Sequence, residues 1–156
     1  MQKTQHGFTL IELVMVIVIL GVLAAFALPR FANLGRDARI ASVQGAAASI
    51  RSASAIAHST WLAGGGVDGY ASVEGNTVVL VGGYPQAYVT LGGLGDITDA
   101  AGIDGDNFAI TGGSNSVTIR PYGMASSVTC FVRYTQASVS GSTVTPPSFS
   151  VQTGGC

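Results

Sequence analysis

The 156-residue chain carries seven Lys and Arg against eight Asp and Glu, a net charge of −1, and only 10% of its side chains are charged. That balance leaves no broad positive footprint for nucleic acid. The length suits one small domain.

The first seven residues, Met1–Gly7, are short and polar, with Lys3 as their one lysine. From Phe8 to Leu28 the chain is apolar, Glu12 being its only charged side chain, and Pro29 follows. A helix over these 21 residues is ~32 Å long at ~1.5 Å per residue, enough to cross a bilayer core. A carboxylate in hydrocarbon costs roughly a few kcal/mol, so Glu12 calls for a cationic partner.

Lys3, Gly7-Phe8-Thr9-Leu10-Ile11-Glu12-Leu13 and the apolar run to Pro29 resemble the amino terminus of type IV pilins and type II secretion pseudopilins. The resemblance implies cleavage between Gly7 and Phe8 by a prepilin peptidase on the cytoplasmic side, and N-methylation of the new terminal Phe8. It implies a subunit that waits in the inner membrane among lipids and is polymerised at an assembly platform into an extracellular homopolymer. The amine at Phe8 of an incoming subunit would then meet Glu12 of one already docked. Two charges that are costly alone become a pair, and the pairing sets the stagger between subunits. A different class of protein competes: Lys3, the apolar stretch and Ala25-Phe26-Ala27 imitate a secretory signal, and cleavage there would release a soluble binding domain beginning at Leu28. Against it stand Glu12 and an apolar stretch longer than the usual ~7–15 residues. Arg30, Arg36 and Arg39 follow the span; they suit a periplasmic, interfacial or subunit-contact role in the pilin topology, although positive-inside counting would place them in the cytoplasm.

Phe31 to about Trp61 is expected to continue as an amphipathic helix. Ile40, Val43, Ala47, Ile50, Ser54, Ala57 and Trp61 are spaced by threes and fours, one stripe of a helix. Ala and Ser fill much of the remainder, so neighbouring helices can approach closely. Gly21 and Pro29 are weak points in the long helix, since glycine loosens it and proline removes a donor. In type IV filaments this stretch is often melted, and the resemblance implies the same here. Gly64-Gly65-Gly66 ends the helix. Gly64, Gly66 and Gly69 match G-x-G-x-x-G by spacing alone, because a helix precedes them and β-type runs follow, the reverse of a dinucleotide site.

Beyond Val67 the sequence reads as β-rich. Thr77–Val81, Gln86–Leu91, Asn107–Thr111, Ser116–Arg120, Val128–Thr135 and Thr143–Val151 are the expected strands, with a hairpin turn at Gly112-Gly113-Ser114-Asn115 and an edge or loop at Pro146-Pro147. The expected fold is α+β: a long N-terminal helix with an antiparallel sheet of about four strands across its C-terminal half, the ladle-shaped pilin fold that the resemblance implies. Its parts are a cleaved leader (1–7), an apolar half-helix for membrane and filament core (8–30), an amphipathic half-helix (31–62) and a β-rich head (63–156).

Cys130 and Cys156 would lie in the oxidising periplasm, where a disulfide is expected. Type IV pilins carry a C-terminal disulfide loop of this kind. The run Cys130–Ala137, the terminal Gly155-Cys156, and Pro29-Arg30-Phe31 with Asn33-Leu34 leading into Asp37-Ala38-Arg39 resemble most the mannose-sensitive haemagglutinin pilins.

Enzyme chemistry finds poor materials. His58 is the only histidine after the leader, on the helix and far in sequence from acidic partners, and neither a nucleophile elbow nor a phosphate loop is present. No cofactor is expected. Asp96, Asp99, Asp104 and Asp106, with Gly102, Gly105 and Asn107, form the best metal candidate, since some pseudopilins hold calcium in a comparable loop. Their order does not fit the D-x-[DN]-x-[DN]-G pattern, which favours a solvated turn. The expectation is a structural protein: a major type IV pilin of a surface fibre used in attachment, biofilm formation and possible motility, with a pseudopilin or minor pilin as its alternatives.

Overall fold

A computed structural model describes residues 7–67, 69–88 and 94–156, and at positions 29, 30 and 32 the backbone alone. The expected leader before Gly7, with Lys3, and the end of the expected strand Gln86–Leu91 lie outside the described residues. The chain divides into two compact units between Asp37 and Ala38.

In the first unit, helix α1 (Leu10–Ala63) begins in an unbroken apolar run. Leu10, Ile11, Ile17, Leu20, Leu23, Phe26 and Leu34 are all exposed, on every side of the helix. A helix that is apolar all round has no face reserved for water. By length and composition it can cross a membrane. The helix is continuous through Gly21 and Pro29.

In the second unit α1 has one buried stripe. Val43, Ala47, Ile50, Ser54 and Ala57 are buried, with Ile40 and Trp61 half-buried at either end, following the period read from the sequence. They share a core with Val117, Ile119, Val132 and Tyr134. Those four come from adjacent strands at alternating positions, which turns one sheet face toward the helix. Burial of each large apolar side chain contributes roughly 1.5–3 kcal/mol.

The strands are β1 (Tyr70–Val73), β2 (Asn76–Val81), β3 (Tyr84–Pro85), β4 (Phe108–Gly112), β5 (Ser116–Pro121), β6 (Phe131–Thr135), β7 (Ser138–Ser140), β8 (Thr143–Thr145) and β9 (Ser148–Gln152), with a short helix α2 (Ile97–Ala100) before β4. The main sheet has the order β4-β5-β6-β9 and is antiparallel throughout. β1-β2-β3 and the β7-β8 hairpin form two smaller sheets. The fold is α+β, a long helix followed by antiparallel sheets, as expected.

Several strands differ in detail from their expectation. β3 precedes the expected Gln86–Leu91 strand and stops at Pro85, which has no N–H to extend the ladder. The expected Thr143–Val151 strand splits around Pro146-Pro147, and its second half becomes the sheet edge beside β6. β1 and β7 have no counterpart among the expected strands. The β1–β2 turn is Glu74-Gly75, both with positive φ (52° and 83°), the two-residue geometry that matches strand twist. At Gly83 (φ 82°) a Cβ would fall 2.4 Å from the Trp61 ring, so the β2–β3 turn reaches the helix only because glycine stands there.

Candidate assembly site

Glu12 lies in the first turn of α1. Its Oε2 accepts hydrogen bonds from the Thr9 amide (3.1 Å) and hydroxyl (2.8 Å), and its own amide donates to Thr9 Oγ1 (3.3 Å). This is a reciprocal capping box, in which each residue satisfies an amide that the helix leaves unpaired. A carboxylate there also opposes the positive end of the helix dipole. The expected assembly charge therefore has a second task inside its own chain. The spacing Thr9-x-x-Glu12 before an apolar run is the sequence signature of that box.

Gly7 and Phe8 precede the helix, and Phe8 is 81% exposed. The bond between them is thus clear of the helix and open to an enzyme. The large apolar side chains that follow are exposed as far as Leu34, a continuous surface well beyond what a water-soluble monomer normally shows.

At the far end of the chain Cys130 and Cys156 are joined by a disulfide, their Cα atoms 4.8 Å apart and both residues buried. Arg39 Nε donates to the carbonyl of Cys156 (2.8 Å). Arg39 thus binds the C-terminus to the helix, a role its place in a basic cluster did not suggest. Arg36 is exposed, while the side chain of Arg30 lies outside the described residues.

The remaining candidates are structural in geometry. His58 Nδ1 lies 3.0 Å from the Gly83 carbonyl, and its ring stacks on Tyr84 with centroids 4.0 Å apart and on Trp61 at 5.6 Å. Tyr134 is buried and donates to the Pro85 carbonyl (2.7 Å); burial pushes its phenol pKa up, because the charged form loses its water. Asp96 caps α2, and Asp99 Oδ2 accepts from the Asp96 amide (2.9 Å) in a second capping box. Asp104 accepts from the Asp106 amide (3.1 Å). Among the described residues no three of His, Cys, Asp or Glu stand together to hold a metal ion. Gly64 and Gly66 donate to Thr60 and Trp61 carbonyls, closing the helix.

The prokaryotic N-terminal methylation motif matches residues 2–28. In that segment the chain is similar to type IV pilins. The chain is 59% identical over 51 residues to the type IV narrow pilus major component PilA5 of Thermus thermophilus, covering 33% of this chain and 44% of that relative. It is 40% identical over 53 residues to the type IV major fimbrial protein FimA of Dichelobacter nodosus, covering 34% of each. The match thus spans less than half the length of these curated relatives. No solved structure matches the chain.

Proposed function

We propose that this chain is a type IV pilin, the major structural subunit of a type IV pilus, a homopolymer whose core is the apolar half of α1. The observation that carries this is the exposed apolar helix behind a matched methylation motif: its surface needs cover from lipid or from copies of itself. The names of the similar proteins, a narrow-pilus major component and a major fimbrial protein, support the filament role. The chain carries out no catalysis.

A prepilin peptidase cleaves Gly7–Phe8, and the new amine on Phe8 is methylated. The mature subunit crosses the bacterial inner membrane once, with its head in the periplasm, until the assembly platform passes it into the filament. During that transfer Glu12 leaves the membrane for the filament core and exchanges Thr9 for the Phe8 amine of a neighbour, since a buried carboxylate is tolerated only when paired. Gly21 and Pro29 let the helix loosen in the fibre. The finer role is surface attachment and biofilm formation of the mannose-sensitive haemagglutinin type.

Intact-mass spectrometry of material sheared from producing cells tests this. The expected species is N-methylated Phe8–Cys156, two hydrogens light for the disulfide. A soluble product beginning at Leu28 would overturn the proposal, and a processed form confined to the membrane would reassign the chain to a pseudopilin or minor pilin.

A further inference from the structure

The face of the main sheet turned away from the helix carries Thr118 and Arg120 on β5 and Phe131 and Arg133 on β6, alternating with the core residues Val117, Ile119, Val132 and Tyr134. The guanidinium carbons of Arg120 and Arg133 each lie 5.3 Å from the centroid of the one Phe131 ring. Arg120 is only 9% exposed, and its Nε has no hydrogen-bond partner. Arg133 is exposed, and its Nε donates to Thr118 Oγ1 (3.1 Å). That bond fixes the guanidinium and leaves its two terminal nitrogens as a free fork. Among the described residues neither arginine is paired with a carboxylate.

Two like charges on one aromatic ring, one of them buried, are an incomplete arrangement. The ring attracts cations but accepts none of their strong hydrogen bonds, and a buried charge normally has a partner. The chain itself is divided by charge. The fifty residues after Asp106 contain both arginines and no acidic residue. Glu74, Asp99, Asp104 and Asp106 are exposed in the segment before them and, among the described residues, bond to backbone at most.

We infer that the Arg120–Phe131–Arg133 face receives a carboxylate of Glu74, Asp99, Asp104 or Asp106 from a second copy of this chain. The Arg133 fork meets a carboxylate edge-on, the bidentate geometry that favours arginine over lysine, and Arg120 adds its field from below. An exposed carboxylate on one copy and the arginine face on the next make a heterologous contact, the kind that repeats into helical fibres when the rotation does not close. The inference rests on the proposed homopolymer and names one of its side contacts. A long polyanion is the poorer match, because it would meet a chain of net charge −1 through two arginines only.

Charge exchange in the full chain, expressed in cells that assemble it, tests the contact. Arg133→Glu should lower the yield of sheared filament by about tenfold, with the membrane pool of processed, oxidised subunit unchanged. Adding Glu74→Arg, Asp99→Arg, Asp104→Arg or Asp106→Arg to Arg133→Glu should restore yield in at least one combination. Wild-type yield from Arg133→Glu alone, or recovery from no reversal, overturns the inference. So does unchanged filament yield accompanied by lost retention on dextran sulfate, which would assign the face to an external polyanion. If Arg133→Glu depletes the membrane pool, cysteine pairs decide instead. Arg133→Cys mixed with Glu74→Cys, Asp99→Cys, Asp104→Cys or Asp106→Cys should give an intermolecular disulfide in filaments, and none in any mixture overturns the contact. Absence of wild-type filament from the sheared fraction would instead sink the homopolymer itself.

Discussion

The two halves of α1 are built from one continuous helix, yet they solve the problem of apolar surface in opposite ways. Around Ile50 the apolar residues form a stripe, and the sheet covers it. Around Ile17 they surround the helix and are exposed among the described residues. The head therefore stabilises itself, whereas the first unit depends on a second phase or a second copy. Stability and assembly are consequently written in different residues, and substitutions should separate them.

Glu12→Ala should have the largest effect. In the proposed filament it would leave the Phe8 amine without its partner, and breaking a buried charge pair costs roughly 3–5 kcal/mol. Sheared filaments should fall by more than tenfold on about that scale, while unfolding of the head in detergent is unchanged; normal piliation would refute the role. Replacing both Cys130 and Cys156 by Ser should remove about 3–4 kcal/mol of head stability on the chain-entropy estimate, read by denaturant unfolding of the full chain in detergent. Ile50→Ala removes a fully buried side chain and should cost about 3 kcal/mol by the same measurement. Its counterpart Ile17→Ala should stay within about 0.5 kcal/mol, and equal losses at the two sites would dissolve the comparison. Tyr134→Phe should cost about 1 kcal/mol, because the Pro85 carbonyl loses its donor. The raised Tyr134 pKa adds a pH dependence. Its contribution is fully present below the free phenol value of 10.0 and is lost as pH rises above it, since the unfolded chain ionises first. The wild type should therefore weaken more steeply above that pH than Tyr134→Phe.

What could be read from the sequence follows the same division. The stripe from Ile40 to Trp61 was legible because burial on one side imposes a period, and the apolar run was legible because it lacks one. The hairpin around Gly113-Ser114-Asn115 was legible from turn chemistry. β3 was not, because Trp61 packing over Gly83 places that turn, and tertiary contacts of this kind leave no local pattern. The role of Arg39 was equally hidden, as its acceptor lies 117 residues away. At Glu12 the signal was present twice, and the rarer meaning, a charge in an apolar run, outweighed the commoner one of a helix cap.

The last residue of the chain is tied down twice, its sulfur to Cys130 on the approach to β6 and its carbonyl to Arg39 on the helix. Tension entering the head at the start of its helix therefore divides between two routes in parallel. One runs along the helix's own hydrogen bonds; the other passes from Arg39 through Cys156 and a covalent link toward the central sheet. Such a bypass lets the terminal loop share mechanical load, so reducing the disulfide should lower the force at which the head unravels as well as the temperature at which it melts.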